Sequence, residues 1–525
     1  MNPPIPIIDL FAGPGGLGEG FSSLDDRRAF EIKLSIEKDF HAHQTLELRA
    51  FFRQFPFGDA HSDYYRYLRD EITRDELFDL HKAEAKAARA EAWHHTLGDD
   101  PDEVQSRIGL ALDGADNWVL IGGPPCQAYS VVGRSRMMSD RGDEERGGKS
   151  FESDHRHLLY IQYLRVIAQH CPPVFVMENV RGLLSASLNG ESMFEQIVAD
   201  LESPATAARE HDFGKIDENL RYEVYPVYQT GSTVGMVGTG LWRDPREFLV
   251  KAEGHGVPQA RHRVILIGLR KSPDPVRPPG LESGLSLADH EVSVRQVIED
   301  LPPIRSRISP VREDSRSEWV KIVKSIAGSG DAAITDAVNN EIQKTAISLD
   351  DRAPDNFGGA FVEGDVHPEI HGGWYHDPKL DGGVCNHMSR SHMKTDLTRY
   401  FFCAVYAKVK ERSPTLADLP IELMPNHKSA RSRTGFADRF RVQIPDRPAT
   451  TVTSHIAKDG HAFIHYDPFQ CRSLTVREAA RIQTFKDNYF FEGPRTSQYT
   501  QVGNAVPPYL AKQIARYVAD TLAGH

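Results

Sequence analysis

Cys126 stands in the run Gly122-Gly123-Pro124-Pro125-Cys126-Gln127-Ala128-Tyr129-Ser130, directly after the apolar stretch Trp118 to Ile121. Two glycines and two prolines end a strand abruptly and fix an extended turn. A cysteine held there sits at the carboxyl end of a strand, where open α/β sheets place their ligands. Its thiolate would be a strong nucleophile for covalent chemistry. Taken alone, Pro-Cys equally marks a tight turn around an inert, buried cysteine. Other reactive types occupy comparable places. Glu178-Asn179 end the apolar run Val174 to Met177, and Arg261 and Arg263 precede the run Val264 to Leu269. Asp9-Leu10-Phe11-Ala12-Gly13-Pro14-Gly15-Gly16 is a Gly-rich turn after another apolar run. Its glycines let the backbone approach a ligand, and the helix that follows offers free N–H groups, which suit a carboxylate. Glu37 follows at the spacing of an acid that binds ribose hydroxyls, so this pattern points to a nucleotide-like cofactor.

These residues need a frame. Ile5 to Leu10, Ile32 to Ile36, Val119 to Ile121, Val174 to Met177 and Val264 to Leu269 read as strands, and Leu158 to Ala168 has helical apolar spacing. The alternation of β and α elements over residues 1–270 indicates a parallel, doubly wound, Rossmann-like sheet. Residues 64–112, rich in Ala, Glu, Lys and Arg, read as a helical insert on its edge. Residues 271–459 change character: Pro and charge clusters and repeated Gly pairs predict a second, irregular domain. Residues 460–525 return to clean helical pattern (Arg472 to Phe485, Pro508 to Ala523) and rejoin the first domain.

Bulk properties bound the class. The 525 residues, 26% charged and 40% hydrophobic, are those of a soluble globular chain long enough for several domains. No apolar run reaches the roughly 20 residues of a membrane span, and Met1 to Leu10 lacks the features of a secretory signal. Five scattered cysteines without a CxxC pair suit a reducing cytoplasm. A net charge of −12 does not by itself favour a nucleic-acid binder. Between Arg390 and Arg447, however, twelve Lys and Arg face six Asp and Glu, a local footprint of about +6.

Six segments occur in a telling order: Asp9 to Gly16, Gly123 to Ser130, Met177-Glu178-Asn179-Val180, Gln259-Ala260-Arg261-His262-Arg263, Arg472 to Phe485, and Gln501-Val502-Gly503-Asn504-Ala505-Val506-Pro507-Pro508. In these motifs the chain resembles the bacterial DNA cytosine-5 methyltransferases. The motifs lie at both ends and flank the region where that family carries its variable target-recognition domain, here 271–459.

The resemblance implies S-adenosyl-L-methionine as cofactor, S-adenosyl-L-homocysteine as product and double-stranded DNA as substrate. Carbon 5 of cytosine is a poor nucleophile, and adding a thiolate to C6 makes it enamine-like. Cys126 is the candidate thiolate. Glu178 would supply a proton or hydrogen bond at N3, Arg263 would hold O2, and Arg261 would brace the loop or a phosphate. A base inside a duplex cannot reach such a pocket, so it must be flipped out. Residues 131–157, with Gly hinges and Arg134 and Arg136 among five arginines, read as a closing lid. Pro125, Gln127, Ser130, Asn179 and Gln259 complete the substrate set.

For the cofactor, the resemblance gives Phe11 to adenine, Glu37 to ribose and Asp59, with Ala60, to the adenine amino group. Ala12, Gly13, Gly15, Gly16, Leu17, Gly18 and Pro124 form the cradle, and Asn504 and Ala505 close it from the far end of the chain. Lys38 departs from the family, which often has an aromatic or apolar residue there. Lys486 stands where Pro is usual. Arg431, Arg433, Arg439 and Arg441, interleaved with Phe436 and Phe440, are types that contact phosphates and bases. Thr451 matches a family threonine at a target-strand phosphate. Cys385, His387 and His392 lack the paired spacing of a zinc site, and no metal is expected. A monomer serving restriction–modification or anti-phage defence, with a cognate nuclease as partner, is the expected setting. The alternatives are a tRNA cytosine-5 enzyme and a catalytically silent DNA-binding regulator.

Overall fold

A computed structural model describes residues 3–125, 157–188, 191–211, 213–214, 216–227, 244–271, 284–328, 335–425 and 438–523. Its frame is an eight-stranded sheet. β1 (Ile5–Leu10) leads through the Gly-rich turn into α1 (Gly16–Ser22), and β2 (Phe30–Glu37) leads into α2 (Phe40–Arg53). Three short helices follow: α3 (Ser62–Leu68), α4 (Arg74–Leu80) and α5 (Lys82–Glu91). Then come β3 (Ala92–His94), α6 (Pro101–Leu112), β4 (Val119–Gly122) and β5 (Val174–Val180). A two-residue hairpin, β6 (Ser187–Leu188) with β7 (Glu191–Ser192), precedes β8 (Tyr222–Pro226), β9 (Leu249–Lys251), β10 (Gln259–Ala260) and β11 (His262–Arg270). The strand order is β3-β2-β1-β4-β5-β11-β8, with β9 also on β11.

The alternation of residues along the strands builds two cores. Ile8, Leu10, Leu120, Phe175, Met177, Val264 and Leu266 pack on one face with the helix His157–His170. Ile7, Ile121, Val174, Val176, Ile265 and Ile267 pack on the other with α1 and the last helix, Pro508–Ala523. Successive side chains of a strand point to opposite faces. With both faces covered, each strand reads as an unbroken apolar run.

Two expectations are corrected. The sheet is parallel only from β3 to β5; β11 runs antiparallel to β5 and β8. The reason is where the chain enters: β11 begins opposite the carboxyl end of β5, with Arg263 against Val180. The segment 64–112 is not only helical, because β3 lies inside it and extends the sheet beyond β2. Three residues between helices are too few to show a strand period in the sequence.

The middle region has more helix than its Pro and Gly clusters suggested. Arg316–Lys324, Asp336–Arg352 and Lys394–Lys410 pack around Trp319, Leu349, Tyr400 and Phe401, all essentially inaccessible. The return motif packs between the two bodies. Arg472 forms a doubly bonded pair with Glu478 at 2.6 Å on both oxygens, wholly buried.

Candidate active site

The carboxyl edge of the sheet gathers the reactive residues. β1 ends at Leu10, and Phe11 turns with φ 57°, half-buried against the core. Gly13 has φ 58°, and a Cβ there would meet nothing within 4 Å, so this glycine faces open space. Its N–H donates to Glu37 Oε2 at 2.8 Å, while Asp39 N–H donates to Oε1 at 2.7 Å. Burial raises the Glu37 pKa, and these two backbone donors oppose the rise. The Gly-rich turn and the end of β2 are thus one assembly, with the carboxylate as its clasp.

The remaining glycines of the motif serve packing. A Cβ on Gly16 would stand 2.3 Å from the Val506 carbonyl, and one on Gly18 would stand 3.0 Å from Asp9 Oδ2. Leu17 lies in the core below the sheet. Gly16, Leu17 and Gly18 therefore have only backbone to offer a ligand. The close approach of Val506 brings in the last motif: Ala505 is buried, while Asn504 is exposed at the end of the helix Arg495–Asn504. Tyr489 OH donates to the Pro14 carbonyl and ties the return segment to the same turn.

The adenine side differs from expectation. Asp59 and Ala60 follow α2, which starts at the carboxyl end of β2 and carries the chain about 20 Å away. Asp59 is paired with Lys379 Nζ at 2.7 Å, and Ala60 is buried in the insert's own core. Neither belongs to the cofactor edge. The strand whose end does adjoin Glu37 is β3: His95 N–H donates to the Glu37 carbonyl at 3.1 Å, and His94 Nε2 contacts the Lys38 carbonyl at 2.9 Å. Lys38 is exposed. Two residues on, Phe40 is an exposed aromatic, 56% accessible and edge-on to His94 with centroids 5.8 Å apart. Phe40 opens α2 directly after Asp39, whose side chain caps the helix by accepting from Ala42 N–H at 2.9 Å.

β4 and β5 carry the residues expected to be catalytic. Gly122 lies opposite Met177 and leads to Gly123, where a Cβ would stand 3.0 Å from Glu178 Oε2 and 3.6 Å from the Glu178 carbonyl. Glu178 lies opposite Ile265 and Arg263 opposite Val180, so the two side chains are diagonal neighbours on one face. Arg263 Nε is 2.7 Å from Glu178 Oε1, with the side chains 11% and 13% exposed. Burial lowers the Arg263 pKa, and the Glu178 charge opposes this. Asn179 is turned inward: Nδ2 donates to the Pro124 carbonyl at 3.4 Å, and Oδ1 accepts from Val180 N–H at 2.8 Å. Pro124 is buried and Pro125 half-buried as the chain heads for Cys126. Cys126, Gln127, Ser130, Arg134 and Arg136, with the segment 131–156, lie outside the described residues, as do Arg431, Arg433 and Phe436.

Arg261 and Gln259 are placed differently from the sequence grouping. Arg261 is buried and donates from Nη1 to the Val452 carbonyl at 2.8 Å and from Nη2 to the Gly503 carbonyl at 3.2 Å. Burial first, and the Arg263 charge second, push its pKa down. It braces the Val452 loop against the end of the helix Arg495–Asn504, in keeping with the bracing role expected of it, and does not face the Glu178 side. Gln259 is fully enclosed: Oε1 accepts from Val452 N–H at 2.6 Å and Nε2 donates to Gln483 Oε1 at 3.0 Å. Its amide is spent inside the protein, so it cannot serve as a DNA contact. β10 pairs with Ala449–Thr450, which brings Gln259 and Arg261 against Val452. Thr451 is half-buried, with Oγ1 donating to the Ala260 carbonyl at 2.5 Å. Arg439 is 3.7 Å from Asp459, and Arg441 pairs with Asp438; both remain at the surface. Cys385 Sγ meets Arg477 Nη2 at 2.9 Å, and His387 bonds Thr475 and the Pro302 carbonyl, so they serve packing.

Comparison with known proteins agrees with this geometry. The family model of C-5 cytosine-specific DNA methylase matches residues 90–204 and 247–519. The chain is 32% identical to the type II methyltransferase M.Bpa9945I of Bacillus paralicheniformis over 99% of both chains. It is 26% identical to the DNA (cytosine-5-)-methyltransferase M.ApeKI of Aeropyrum pernix, covering 78% of this chain and 83% of that one. Its fold is like that of a DNA modification methyltransferase encoded in an E. coli prophage, with a TM-score of 0.50, 18% identity and 99% of each chain covered. A strand-end acid paired to an arginine, a Gly-rich turn clasped by Glu37 and a family match across both halves lead to one conclusion: this chain belongs to the C-5 cytosine-specific DNA methylase family.

Proposed function

We propose that the protein methylates C5 of a cytosine flipped out of a specific duplex DNA sequence, through a covalent bond from Cys126 to C6. The observation that carries the reading is the Glu178–Arg263 pair at 2.7 Å, beside the Gly123–Pro125 turn that leads directly into Cys126. The Cys126 thiolate adds to C6 as Glu178 gives a proton to N3, and the C5–C6 electron pair becomes enamine-like. Arg263 serves O2 and holds Glu178 in place. Once C5 carries the methyl, its proton passes to solvent as the thiolate leaves C6, and N3 returns its proton to Glu178, which restores the ring.

The cofactor edge fits S-adenosyl-L-methionine. Gly13 faces open space, Glu37 presents a carboxylate at the ribose position, and Phe11 and Phe40 offer aromatic surface for a purine. Phe11, Gly13, Glu37 and Asn504 would hold it. When bound it supplies an electrophilic sulfonium methyl. The middle region, with Arg439, Arg441 and Thr451 at its surface, serves as the target-recognition domain. The setting is the modification half of a restriction–modification system, a reading supported by relatives named type II methyltransferases. No helix among the described residues is long and apolar enough to cross a membrane.

The test is transfer of tritiated methyl to duplex DNA and, side by side, to tRNA, with wild type and Cys126→Ala. DNA incorporation by wild type alone is the expected result. Equal incorporation by both proteins would sink the nucleophile assignment, and preference for tRNA would move the substrate class. Bisulfite sequencing of a genome carrying the gene then reads out the sequence context.

A further inference from the structure

The helical insert holds a cluster that methyl transfer does not use. His61 caps α3, Asp63 lies in its first turn, and His81 stands at the break between α4 and α5. Asp63 Oδ2 lies 3.1 Å from His61 Nδ1 and 3.0 Å from His81 Nε2, and the two imidazoles are 4.3 Å apart between centroids. We propose that His61, Asp63 and His81 bind a divalent transition-metal ion, zinc foremost, which staples the insert.

The donor set and spacing support this. Two imidazoles and one carboxylate suit zinc and its neighbours better than magnesium or calcium, which prefer all-oxygen sites. Bonds of about 2.0–2.2 Å at tetrahedral angles place adjacent ligand atoms roughly 3.3–3.5 Å apart. The two separations to Oδ2 are within a few tenths of an ångström of that, and all three ligand atoms lie within 4.8 Å of one another. The fourth position opens to solvent on the side of His61, whose side chain is 48% exposed.

The hydrogen bonds also leave a gap that a cation fills. His61 Nδ1 accepts the Asp63 N–H at 3.2 Å. In that tautomer Nδ1 has no proton for Asp63 Oδ2, so two lone-pair atoms face each other at 3.1 Å. An ion between them would take the Nδ1 lone pair in place of the Asp63 N–H and turn the repulsion into a bond. Asp63 Oδ1 is already taken by Arg66 Nη1 at 2.8 Å, which fixes the carboxylate and leaves Oδ2 for the centre. The charge of Arg66 is shared with Glu71 at 3.6 Å. His81 is held edge-on by Phe51 and Phe55, with centroids 6.0 and 5.6 Å away, so its ring is oriented before any ion arrives. The ion would join α3 to the α4–α5 break only two residues beyond Asp59, whose bond to Lys379 links the insert to the middle region.

The test uses the full-length protein, stripped with a chelator and titrated calorimetrically with Zn²⁺ alone, beside His61→Ala and His81→Asn. The expected result is one tight site in the wild type, weakened more than about 10-fold in each variant. Zn²⁺ should raise the thermal midpoint of the wild type and leave that of His61→Ala unmoved. Co²⁺ should give visible absorption without a thiolate charge-transfer band, which sets this site apart from binding at cysteines. Equal zinc affinity in wild type and His61→Ala overturns the proposal, as does the absence of binding to the wild type; the cluster would then be a shared-proton contact. Should His81→Asn fail to fold, the exposed His61 position carries the test.

Discussion

Gly123→Ala separates a positioned Glu178 from a merely buried one. The new methyl carbon would stand 3.0 Å from Oε2, about 0.4 Å inside ordinary van der Waals contact, and 3.6 Å from the Glu178 carbonyl, which is acceptable. The overlap falls on the carboxylate alone, so the side chain must move by a few tenths of an ångström and strain its 2.7 Å contact with Arg263. Misplacement by 1 Å costs on the order of 100-fold in rate, so a shift of about half that size should cost roughly 10-fold in kcat. Stability should change little, because the displaced group is the far end of a side chain and Gly123 is not among the left-handed glycines. The assay is single-turnover methyl transfer with saturating DNA and cofactor, beside a melting curve. Glu178→Gln, expected to lose about 10²–10⁴-fold as a general-acid deletion, serves as the partner variant. The double variant should be no slower than Glu178→Gln alone, since both act on one carboxylate. Unchanged kcat in Gly123→Ala, or additive losses in the double variant, would refute a precisely held acid at position 178.

Two further predictions concern what lies beneath the site. Asp9 is fully buried, its Oδ2 lacks a hydrogen-bond partner, and desolvation raises its pKa to about 8 against Arg53. A raised acid binds its proton in the folded state, so its contribution to stability is complete below about pH 4 and is lost as pH rises toward 8, by about 1.4 kcal/mol per unit. Denaturant melts from pH 5 to 8 should show this slope in wild type and a flatter one in Asp9→Asn; parallel slopes would show that Asp9 ionises normally. Arg261→Met leaves the Val452 and Gly503 carbonyls without their donors and should destabilise by about 1–3 kcal/mol. A midpoint unchanged within a degree in thermal melts would rule out the bracing role.

What was legible in the sequence is what rests on local pattern. Apolar runs marked β1, β2, β4, β5 and β11, and Gly or Pro beside reactive residues marked their ends. Six ordered motifs then pointed to the family, because such residues at strand ends have a chemical reason to recur together. The sequence hid β3, three residues long inside a helical stretch, and with it the fact that the chain beside Glu37 is His94–His95 and not Asp59. It also hid the direction of β11, since a strand's composition carries no sign. That direction matters most for function: running antiparallel, β11 begins at the edge where β5 ends, and this alone sets Arg263 against Glu178.

Residue type likewise left the arginines undecided. Arg261, Arg472, Arg477 and Arg481 are fully buried braces, while Arg439 and Arg441 stay at the surface. Nothing in composition separates the two groups, because a guanidinium is buried only where folded carbonyls and carboxylates converge on its donors. Local pattern along the chain carried most of the central strands, the reactive residue types and the family. Tertiary structure alone decided which arginine faces the carboxylate and which is enclosed, and that His61, Asp63 and His81 meet. Those outcomes depend on distances between residues far apart along the chain, set by the packing of strands and helices.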